Sequence, residues 1–292
     1  MTTRLLPAAR LFAGLTLLAG PAFASSGQER VRVALQTTNS SVGDATQDSR
    51  RPADRAAPRS DPNSMLAHEQ LVAKARLGRI DVYFEGDSIV RRWGATDYPQ
   101  LLANWNENFH GWNAADFGWG ADRTENILWR LEHGELDGVS PRVIVLLAGT
   151  NNVGALAGTD VGQEAAAEIA RGVKAIVDLC RQKAPDATII LTAIFPRNDD
   201  MALLPIIARI NAILATFADG SRVRFLDVNG SLADKDGTLV DGVMDRRDKL
   251  HPTLKGYQIW ADALKPILRE LLGPPAAADL APPPTGDPKA AR

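Results

Sequence analysis

Ser88, Asp248 and His251 are the residues whose types and spacing could support nucleophilic catalysis in this 292-residue chain. Ser88 ends the tripeptide Gly86-Asp87-Ser88, which follows the apolar run at residues 80–84. A serine hydroxyl is a weak nucleophile at neutral pH and needs a base, and histidine is suited because its ordinary pKa is about 6.5. Together these side chains could carry out acyl transfer.

The sequence around the histidine offers a base and an acid in one short segment. Pro252 biases His251 toward an extended backbone, so its ring can project from a loop. Asp248 lies three residues earlier, close enough to orient the ring, although it also belongs to a charged run typical of protein surfaces. Asp245 and Asp241 are the alternative acids. Gly-Asp-Ser by itself is equally typical of a turn whose serine caps a helix.

Two further segments lie between the serine and the histidine. Residues 116–124 read Asp-Phe-Gly-Trp-Gly-Ala-Asp-Arg-Thr, and residues 149–152 read Gly-Thr-Asn-Asn after a second apolar run. With these four ordered blocks the chain resembles the SGNH hydrolases, also called the GDSL esterase/lipase family. It is most similar to the branch that includes platelet-activating-factor acetylhydrolase, and the resemblance covers about residues 71–272.

The resemblance implies a role for each block. Ser88 would be the nucleophile, His251 the general base and Asp248 the acid that orients it. The oxyanion would be held by the backbone N–H of Ser88, by a backbone N–H of the second block and by the side-chain amide of Asn151. Asn152 is expected to be structural.

The second block departs from the family pattern at one position. The donor glycine of the family, just before the aspartate, falls on Ala121 in this chain. Alanine keeps the N–H, but a glycine position often needs a positive φ or a close approach. Either Ala121 donates from an ordinary backbone geometry, or Gly120 takes the role. An alanine methyl here would narrow the cleft beside the acyl carbon.

Three residues are candidates for binding the substrate: Trp119, Asp87 and Arg123. Trp119 is the best cleft candidate among the aromatic residues between positions 93 and 119, because it lies inside the oxyanion block. Core packing is nevertheless the more common fate of a tryptophan. Arg123 would contact the substrate or pair with a carboxylate.

Alternating strand-like and helix-like segments predict an α/β fold, a three-layer α/β/α sandwich with a flavodoxin-like parallel sheet of about five strands. The strands are predicted at residues 80–84, 114–117, 143–147, 188–194 and 223–228. The helices are predicted at residues 64–77, 124–131, 164–183, 202–217 and 253–264, with Pro266 kinking or ending the last. Ser88, the second block and Asn151 would then share the carboxyl edge of the sheet.

The two ends of the chain lack the alternating strand-like and helix-like segments of its middle. Residues 1–24 have the charged start, apolar centre and Ala-x-Ala ending of an export signal, so we expect cleavage after Ala24 and a secreted or periplasmic location. The apolar stretch is too short for a bilayer anchor. Residues 25–62 are expected to be flexible, residues 63–272 to form the hydrolase domain, and residues 273–292 to be a disordered tail rich in Pro and Ala.

Composition argues against several classes of partner. The net charge is −2 and the Lys and Arg residues are scattered, so nucleic acid is not an expected partner. No histidine or cysteine spacing suits a metal, and no dinucleotide fingerprint is present, so no metal and no cofactor are predicted. The single cysteine, Cys180, shares a helical face with apolar residues and is expected to be buried.

These features predict an exported serine esterase that acts on short acyl, foremost acetyl, oxygen esters of a small molecule or a carbohydrate. A lipid or aryl ester hydrolase of the same fold is the first alternative. The second is a non-catalytic carbohydrate-binding module that uses its tryptophans as stacking platforms.

Overall fold

A single parallel sheet organises the computed structural model, which describes residues 52–157 and 163–289. Its strands are β1 (Val82–Gly86), β2 (Ala114–Asp116), β3 (Val143–Leu147), β4 (Thr188–Thr192) and β5 (Val223–Leu226). Their order in the sheet is β2-β1-β3-β4-β5, and every pairing is parallel. The predicted flavodoxin-like sheet is therefore confirmed. From β1 the chain adds β2 on one side of the sheet and then β3, β4 and β5 on the other side. The point where the strand order changes direction therefore lies between β1 and β3, and folds of this kind place their functional loops there.

Helices cover both faces of the sheet. They are α1 (Pro62–Ala75), α2 (Ser88–Gly94), α3 (Pro99–Phe109), α4 (Thr124–Arg130), α5 (Thr150–Gly154), α6 (Gln163–Lys183), α7 (Leu204–Ala215), α8 (Asn229–Leu232) and α9 (Leu254–Leu272). One face packs against α1, α4, α6 and α7, and the other against α2, α3 and α9. This is the predicted three-layer sandwich.

Side chains along each strand alternate between two cores, as the period of a strand requires. Tyr83 of β1 enters the core beneath α6, where Cys180 is also fully buried as predicted. Phe84 enters the opposite core, where its ring contacts Trp105 with centroids 4.6 Å apart. Trp93 and Trp260 stack at 5.1 Å in that same core. Most of the aromatic side chains of the chain therefore serve packing.

The helices differ from the prediction in several places, and the short helices α5 and α8 lie where none is predicted. Helix α3 also lies in a region for which no helix is predicted; it begins at Pro99 and buries Trp105, Asn108 and Phe109. Helix α9 continues past Pro266 to Leu272. A proline removes one backbone hydrogen bond, but Leu264 and Leu268 are fully buried on either side of it, so packing holds the helix together.

The expectation of a disordered tail is wrong for residues 273–289. The N–H of Ala276 donates to the carbonyl of Gly111 at 2.9 Å, and the Leu280 carbonyl accepts from Arg79 at 2.9 Å. Thr96 donates to the carbonyl of Thr285 at 3.1 Å. Prolines prevent a helix here, but they leave an extended chain that can bond to neighbouring loops.

The lead segment, defined here as residues 52–61, is also packed, although the sequence predicts flexibility from residue 25 to residue 62. Ala53 and Ala57 are buried, at 3% and 5% exposure. The Ala57 N–H donates to the carbonyl of Glu125 at 2.9 Å. The buried side chains of this segment are two alanines. They form no apolar period, so the sequence pattern does not indicate that the segment is packed. The predicted signal and residues 25–51 lie outside the described residues.

One buried arginine joins the ends of two strands to the loop that follows β2. Arg130 donates from Nε to Asp122 Oδ2 at 2.6 Å and from Nη2 to Glu85 Oε1 at 2.7 Å. Its Nη1 donates to the carbonyl of Phe117 at 2.9 Å and also to the Glu135 carboxylate. The side chains of these four charged residues are at most 4% exposed. We call Arg130, Glu85, Asp122 and Glu135 the buried charge cluster.

The buried charge cluster holds three carboxyl groups around one guanidinium. Burial raises the pKa of Glu85 to about 8, even though the positive charge of Arg130 lowers it. Burial likewise raises the pKa of Asp122 to about 6, again against the effect of Arg130. Glu85 is therefore expected to carry a proton at neutral pH, which reduces the excess negative charge within the cluster.

Replacing Arg130 with methionine should lower the free energy of unfolding by about 3–5 kcal/mol, because it leaves buried carboxylates without their partner. Urea unfolding monitored by circular dichroism measures the loss. Arg224→Met is the matched control, since Arg224 pairs with Glu270 at the surface at 2.8 Å. That variant should lose about 1 kcal/mol or less. Equal losses in the two variants would contradict the importance of the cluster.

Candidate active site

Ser88 lies at the carboxyl end of β1, as the first residue of α2. Asp87 caps this helix, because its Oδ1 accepts the Ile89 N–H at 2.9 Å. Gly86 permits the sharp transition from strand to helix, since a Cβ there would stand 2.4 Å from the Leu147 carbonyl oxygen. The hydroxyl of Ser88 thus sits at a helix N-terminus, where free N–H groups favour negative charge.

A continuous chain of hydrogen bonds joins the three candidate catalytic residues. Ser88 Oγ lies 2.8 Å from His251 Nε2. His251 Nδ1 lies 2.7 Å from Asp248 Oδ2. The three side chains converge across 163 residues of sequence because β1 and the loop before α9 meet at the same edge of the sheet. The geometry matches a nucleophile, a base and an acid that orients the base.

The loop before α9 is folded so that Asp248 faces the ring of His251. Lys249 has φ +50°, in the left-handed region, and turns the chain between these two residues. The second carboxylate oxygen of Asp248, Oδ1, accepts the N–H groups of Leu250 and His251, both at 3.0 Å. One carboxylate therefore shapes the loop with one oxygen and holds the ring with the other.

The two alternative acids have other partners. The Asp245 carboxylate accepts the Arg247 N–H at 2.8 Å. Asp241 pairs with Arg246 at 3.1 Å on the surface, where both side chains are more than 80% exposed. The ring of His251 therefore has Asp248 as its carboxylate partner.

The electrostatic environment favours a neutral His251 and an ionised Asp248. Burial and the positive charge of Arg92 lower the pKa of His251 below 6.5, and together they outweigh the raising effect of Asp248. Burial raises the pKa of Asp248, but hydrogen bonds from His251 and Leu250 more than offset this, so it lies below its ordinary value. At neutral pH the imidazole is thus ready to accept the serine proton.

The segment expected to supply a backbone donor is a tight turn from Trp119 to Asp122. The Asp122 N–H donates to the carbonyl of Trp119 at 3.4 Å, so Gly120 and Ala121 are its central residues. Ala121 has φ +63°, which corrects the alternative that it would keep an ordinary backbone geometry. The left-handed conformation costs an alanine about 1–2 kcal/mol. The chain thus adopts a glycine-like turn without the glycine.

Asn151 lies against this turn. It stands in the first turn of α5, and its Nδ2 donates to the carbonyl of Asp122 at 2.8 Å. An amide nitrogen has two hydrogens, so this contact leaves one donor for a further acceptor. Asn152 instead contacts α4, accepting the Thr124 N–H at 3.0 Å and donating to Glu125 at 3.0 Å. It has the structural role that the sequence predicts.

Each of the three predicted substrate-binding residues has a partner within the protein. Trp119 is 8% exposed, and its Nε1 donates to Ser64 Oγ at 2.8 Å, so it is packed between elements rather than lining a cleft. Asp87 is fully buried and is held by the helix that it caps. Arg123 is paired, with its Nη1 3.8 Å from the Glu125 carboxylate.

Sequence reasoning missed three arginines at this site. Arg92 lies one helical turn after Ser88, with its Nη1 3.5 Å from Asp248 Oδ2. Arg59 of the lead segment contacts Gly120 and Asp122. Arg130 holds Asp122 from inside the protein. The position of Arg92 on the nucleophile helix could have indicated its role, but the contacts of the other two depend on long-range folding.

The described residues carry no signal for other chemistry. Among them no group of three His, Cys, Asp or Glu side chains could hold a metal ion. No helix within residues 52–157 or 163–289 has both the length and the apolar character that a membrane crossing requires.

Comparison with known proteins identifies the family of this chain. The profile of the GDSL-like lipase/acylhydrolase family matches residues 84–259. The chain is 33% identical over 214 residues to platelet-activating factor acetylhydrolase IB subunit alpha2 of Rattus norvegicus, covering 73% of this chain and 86% of that protein. It is 32% identical over 210 residues to subunit alpha1 of Bos taurus, covering 71% and 83%.

Solved structures show the same fold at lower identity. A GDSL-like lipase from Bacteroides thetaiotaomicron aligns with a TM-score of 0.53 and 19% identity, covering 65% of this chain and 88% of that one. An acetyl xylan esterase from Geobacillus stearothermophilus aligns with a TM-score of 0.50 and 17% identity, covering 67% and 96%. These matches show the fold, and the family profile together with the acetylhydrolase relatives establishes that the chain belongs to the GDSL-like lipase/acylhydrolase family and is a hydrolase of ester bonds.

Proposed function

We propose that this chain is a serine esterase that removes short acyl groups, foremost acetyl, from oxygen esters by way of an acyl-enzyme. The observation that carries the proposal is the unbroken hydrogen-bonded chain from Ser88 through His251 to Asp248, at 2.8 and 2.7 Å. The lowered pKa of His251 supports it, because the base must be neutral to accept a proton.

In the proposed first half-reaction, Ser88 Oγ attacks the ester carbonyl carbon and passes its proton to His251 Nε2. Asp248 keeps the ring in the tautomer that accepts at Nε2 and stabilises the imidazolium. The tetrahedral intermediate then collapses. His251 delivers the proton to the departing alcohol oxygen, and the acyl group remains on Ser88.

In the second half-reaction, water attacks the acyl carbon and gives a proton to His251 Nε2. The intermediate collapses, the proton returns to Ser88 Oγ, and the carboxylic acid leaves. Both intermediates carry an oxyanion, for which we propose three donors: the N–H of Ser88, the N–H of Ala121 and the second N–H of Asn151. Gly120 is the alternative backbone donor. Removing one such donor in other enzymes slows turnover by about 10²–10³.

The proposed substrate is an acetyl ester, and we place it on a carbohydrate ahead of a lipid or an aryl alcohol. Two features of the relatives support the acyl group: the curated relatives are named acetylhydrolases, and the same fold serves an acetyl xylan esterase. The predicted export signal in residues 1–24 supports a location where acetylated polysaccharide occurs, and we propose that the chain is secreted or periplasmic.

The binding-module alternative loses its main support. Stacking platforms need exposed tryptophan faces, yet Trp93, Trp105, Trp112, Trp119 and Trp260 are all at most 8% exposed. The sixth, Trp129, stacks on His133 with centroids 4.1 Å apart. These contacts favour a catalytic rather than a carbohydrate-stacking surface.

Replacing Ser88 with alanine should lower the hydrolysis rate of p-nitrophenyl acetate by roughly 10⁴-fold or more, because the nucleophile is lost. The purified parent and variant are compared by release of p-nitrophenolate, and circular dichroism checks that the variant is folded. Ser231→Ala, at an exposed serine of α8, should match the parent. Equal rates in the parent and the folded Ser88→Ala protein would rule out Ser88 as the nucleophile.

Acetyl esters should be preferred over butyryl esters by roughly tenfold or more in kcat/KM, since pockets discriminate by about this factor per methylene. We expect Ala121→Gly to reduce that preference, because it removes a methyl group beside the acyl carbon. The p-nitrophenyl acetate, butyrate and hexanoate series measures the ratio, with Ala218→Gly at an exposed position as the control. An unchanged ratio in Ala121→Gly would show that this methyl does not limit the acyl site.

The acidic limb of the profile of kcat/KM against pH should lie below pH 6.5, because His251 must be neutral and its pKa is lowered. Arg92→Gln removes a positive charge that lowers this pKa, so the limb should move to higher pH. Arg246→Gln removes an equal but exposed charge, and its limb should stay with that of the parent. A limb that does not move in Arg92→Gln would contradict this account of the base.

A further inference from the structure

The lead segment is fastened to the start of α4, immediately after the turn at residues 119–122. Thr124 Oγ1 donates to the carbonyl of Ala53 at 2.7 Å, and Asn126 Nδ2 donates to the carbonyl of Ala57 at 3.1 Å. The return bond from the Ala57 N–H to the Glu125 carbonyl is 2.9 Å. These contacts bring Arg59 alongside the turn.

Arg59 contacts two residues of the turn at residues 119–122. Its Nη1 donates to the carbonyl of Gly120 at 3.2 Å and lies 3.5 Å from Asp122 Oδ1. Its Nη2 lies 3.0 Å from Asp61 Oδ2. Since Asp122 already receives Arg130 at 2.6 Å, the contact that Arg59 alone supplies is the one to the Gly120 carbonyl.

Asp61 connects Arg59 to Trp119 by way of Ser64. Ser64 Oγ donates to Asp61 Oδ2 at 2.8 Å, and Trp119 Nε1 donates to Ser64 Oγ at 2.8 Å. A ring of hydrogen bonds thus runs from Trp119 through Ser64, Asp61 and Arg59 to the Gly120 carbonyl. The first two residues of the turn are thus tied to the start of α1 and to the lead segment.

The Gly120 carbonyl and the Ala121 N–H belong to the same peptide unit. In a planar trans peptide these two groups point in opposite directions. A donor that fixes the carbonyl therefore fixes the direction of the N–H as well. The Ala121 N–H takes part in none of the hydrogen bonds within the described residues, so it is free to serve an external acceptor.

This peptide is also the one whose orientation the turn can change. A type II turn has a positive φ at its third residue, whereas a type I turn has a negative φ there and the central peptide is rotated by about 180°. Ala121 has φ +63° and Gly120 lies outside the left-handed region, which is the combination of φ angles that a type II turn requires. Alanine disfavours that conformation, whereas glycine accepts it readily.

We propose that Arg59 is a positioning residue that holds the Gly120–Ala121 peptide in its type II orientation and so directs the Ala121 N–H at the oxyanion. The proposal rests on the oxyanion role assigned above to that N–H. It makes the lead segment part of the active site, and it explains how the chain uses an alanine where the family has a glycine.

The test is a double-mutant cycle of Arg59→Ala and Ala121→Gly, with kcat and KM measured on p-nitrophenyl acetate. In the Ala121 background, Arg59→Ala should lower kcat by about 10- to 100-fold and leave KM within about twofold, since loss of a whole donor costs about 10²–10³. In the Ala121→Gly background, the same change should lower kcat by less than about threefold, because glycine stabilises the type II turn unaided. Equal losses in both backgrounds would overturn the proposal.

Two variants separate orientation of the peptide from general stability. Arg171→Ala removes the ion pair to Asp54 of the same lead segment without touching the turn, and it should keep the kcat of the parent. Arg59→Lys keeps a cationic donor for the Gly120 carbonyl, so it should recover most of the kcat lost in Arg59→Ala. If Arg171→Ala loses as much as Arg59→Ala, or if lysine recovers nothing, the proposal fails.

The outcomes also distinguish this proposal from the esterase assignment. Activity that survives in folded Ser88→Ala would defeat the assignment, whatever Arg59 does. A parent whose activity depends on Ser88, together with an Arg59→Ala variant of unchanged kcat, would defeat only the positioning role. A boronic acid that mimics the tetrahedral intermediate provides an independent readout, since its affinity should fall by the same factor as kcat in Arg59→Ala.

Discussion

The burial of Arg130 is the constraint on which the arrangement of the site depends. A guanidinium with almost no exposure needs every donor occupied, and its partners include the Asp122 and Glu85 carboxyl groups and the Phe117 carbonyl. Those acceptors belong to the end of β1, the end of β2 and the turn beyond it. If any of these three segments moved, a donor of the buried Arg130 guanidinium would lose its acceptor. The frame that carries Ser88 and the turn at residues 119–122 is therefore held in place before a substrate arrives.

The two halves of the site use the same device, a non-glycine residue in a left-handed conformation held by charged groups. Lys249, at φ +50°, turns the loop so that Asp248 meets His251, and the Asp248 carboxylate stabilises that loop through two N–H groups. Ala121, at φ +63°, turns the second block, and Asp122 beside it is bound by Arg130. Local strain is thus offset by charge-assisted hydrogen bonds, and the reacting groups need not reorganise during the reaction.

An element of the fold can be predicted from the sequence only where it has a local pattern of residue types. The central strands and the Ser88, Asp248 and His251 set are predictable, because continuous apolar runs mark buried parallel strands and few residue types can act as nucleophile and base. The packed segments at residues 52–61 and 273–289 are not, because they are held by backbone bonds to distant loops and have no period of their own. Trp119 illustrates the same limit: its position in the block suggests a cleft, but Ser64, 55 residues away, fixes it inside.

The hydrolase domain therefore extends beyond the boundaries that apolar periodicity gives. A chain cut to residues 63–272 would retain Ser88, Asp248 and His251, but it would lose Arg59 and the segment at residues 273–289, which bonds to Gly111. Ser88, His251 and Asp248 lie within those limits, whereas Arg59, which donates to the Gly120 carbonyl of the turn, lies outside them. Family motifs locate the candidate catalytic side chains, and the segments that flank those motifs supply contacts to the neighbouring turn that the motifs do not encode.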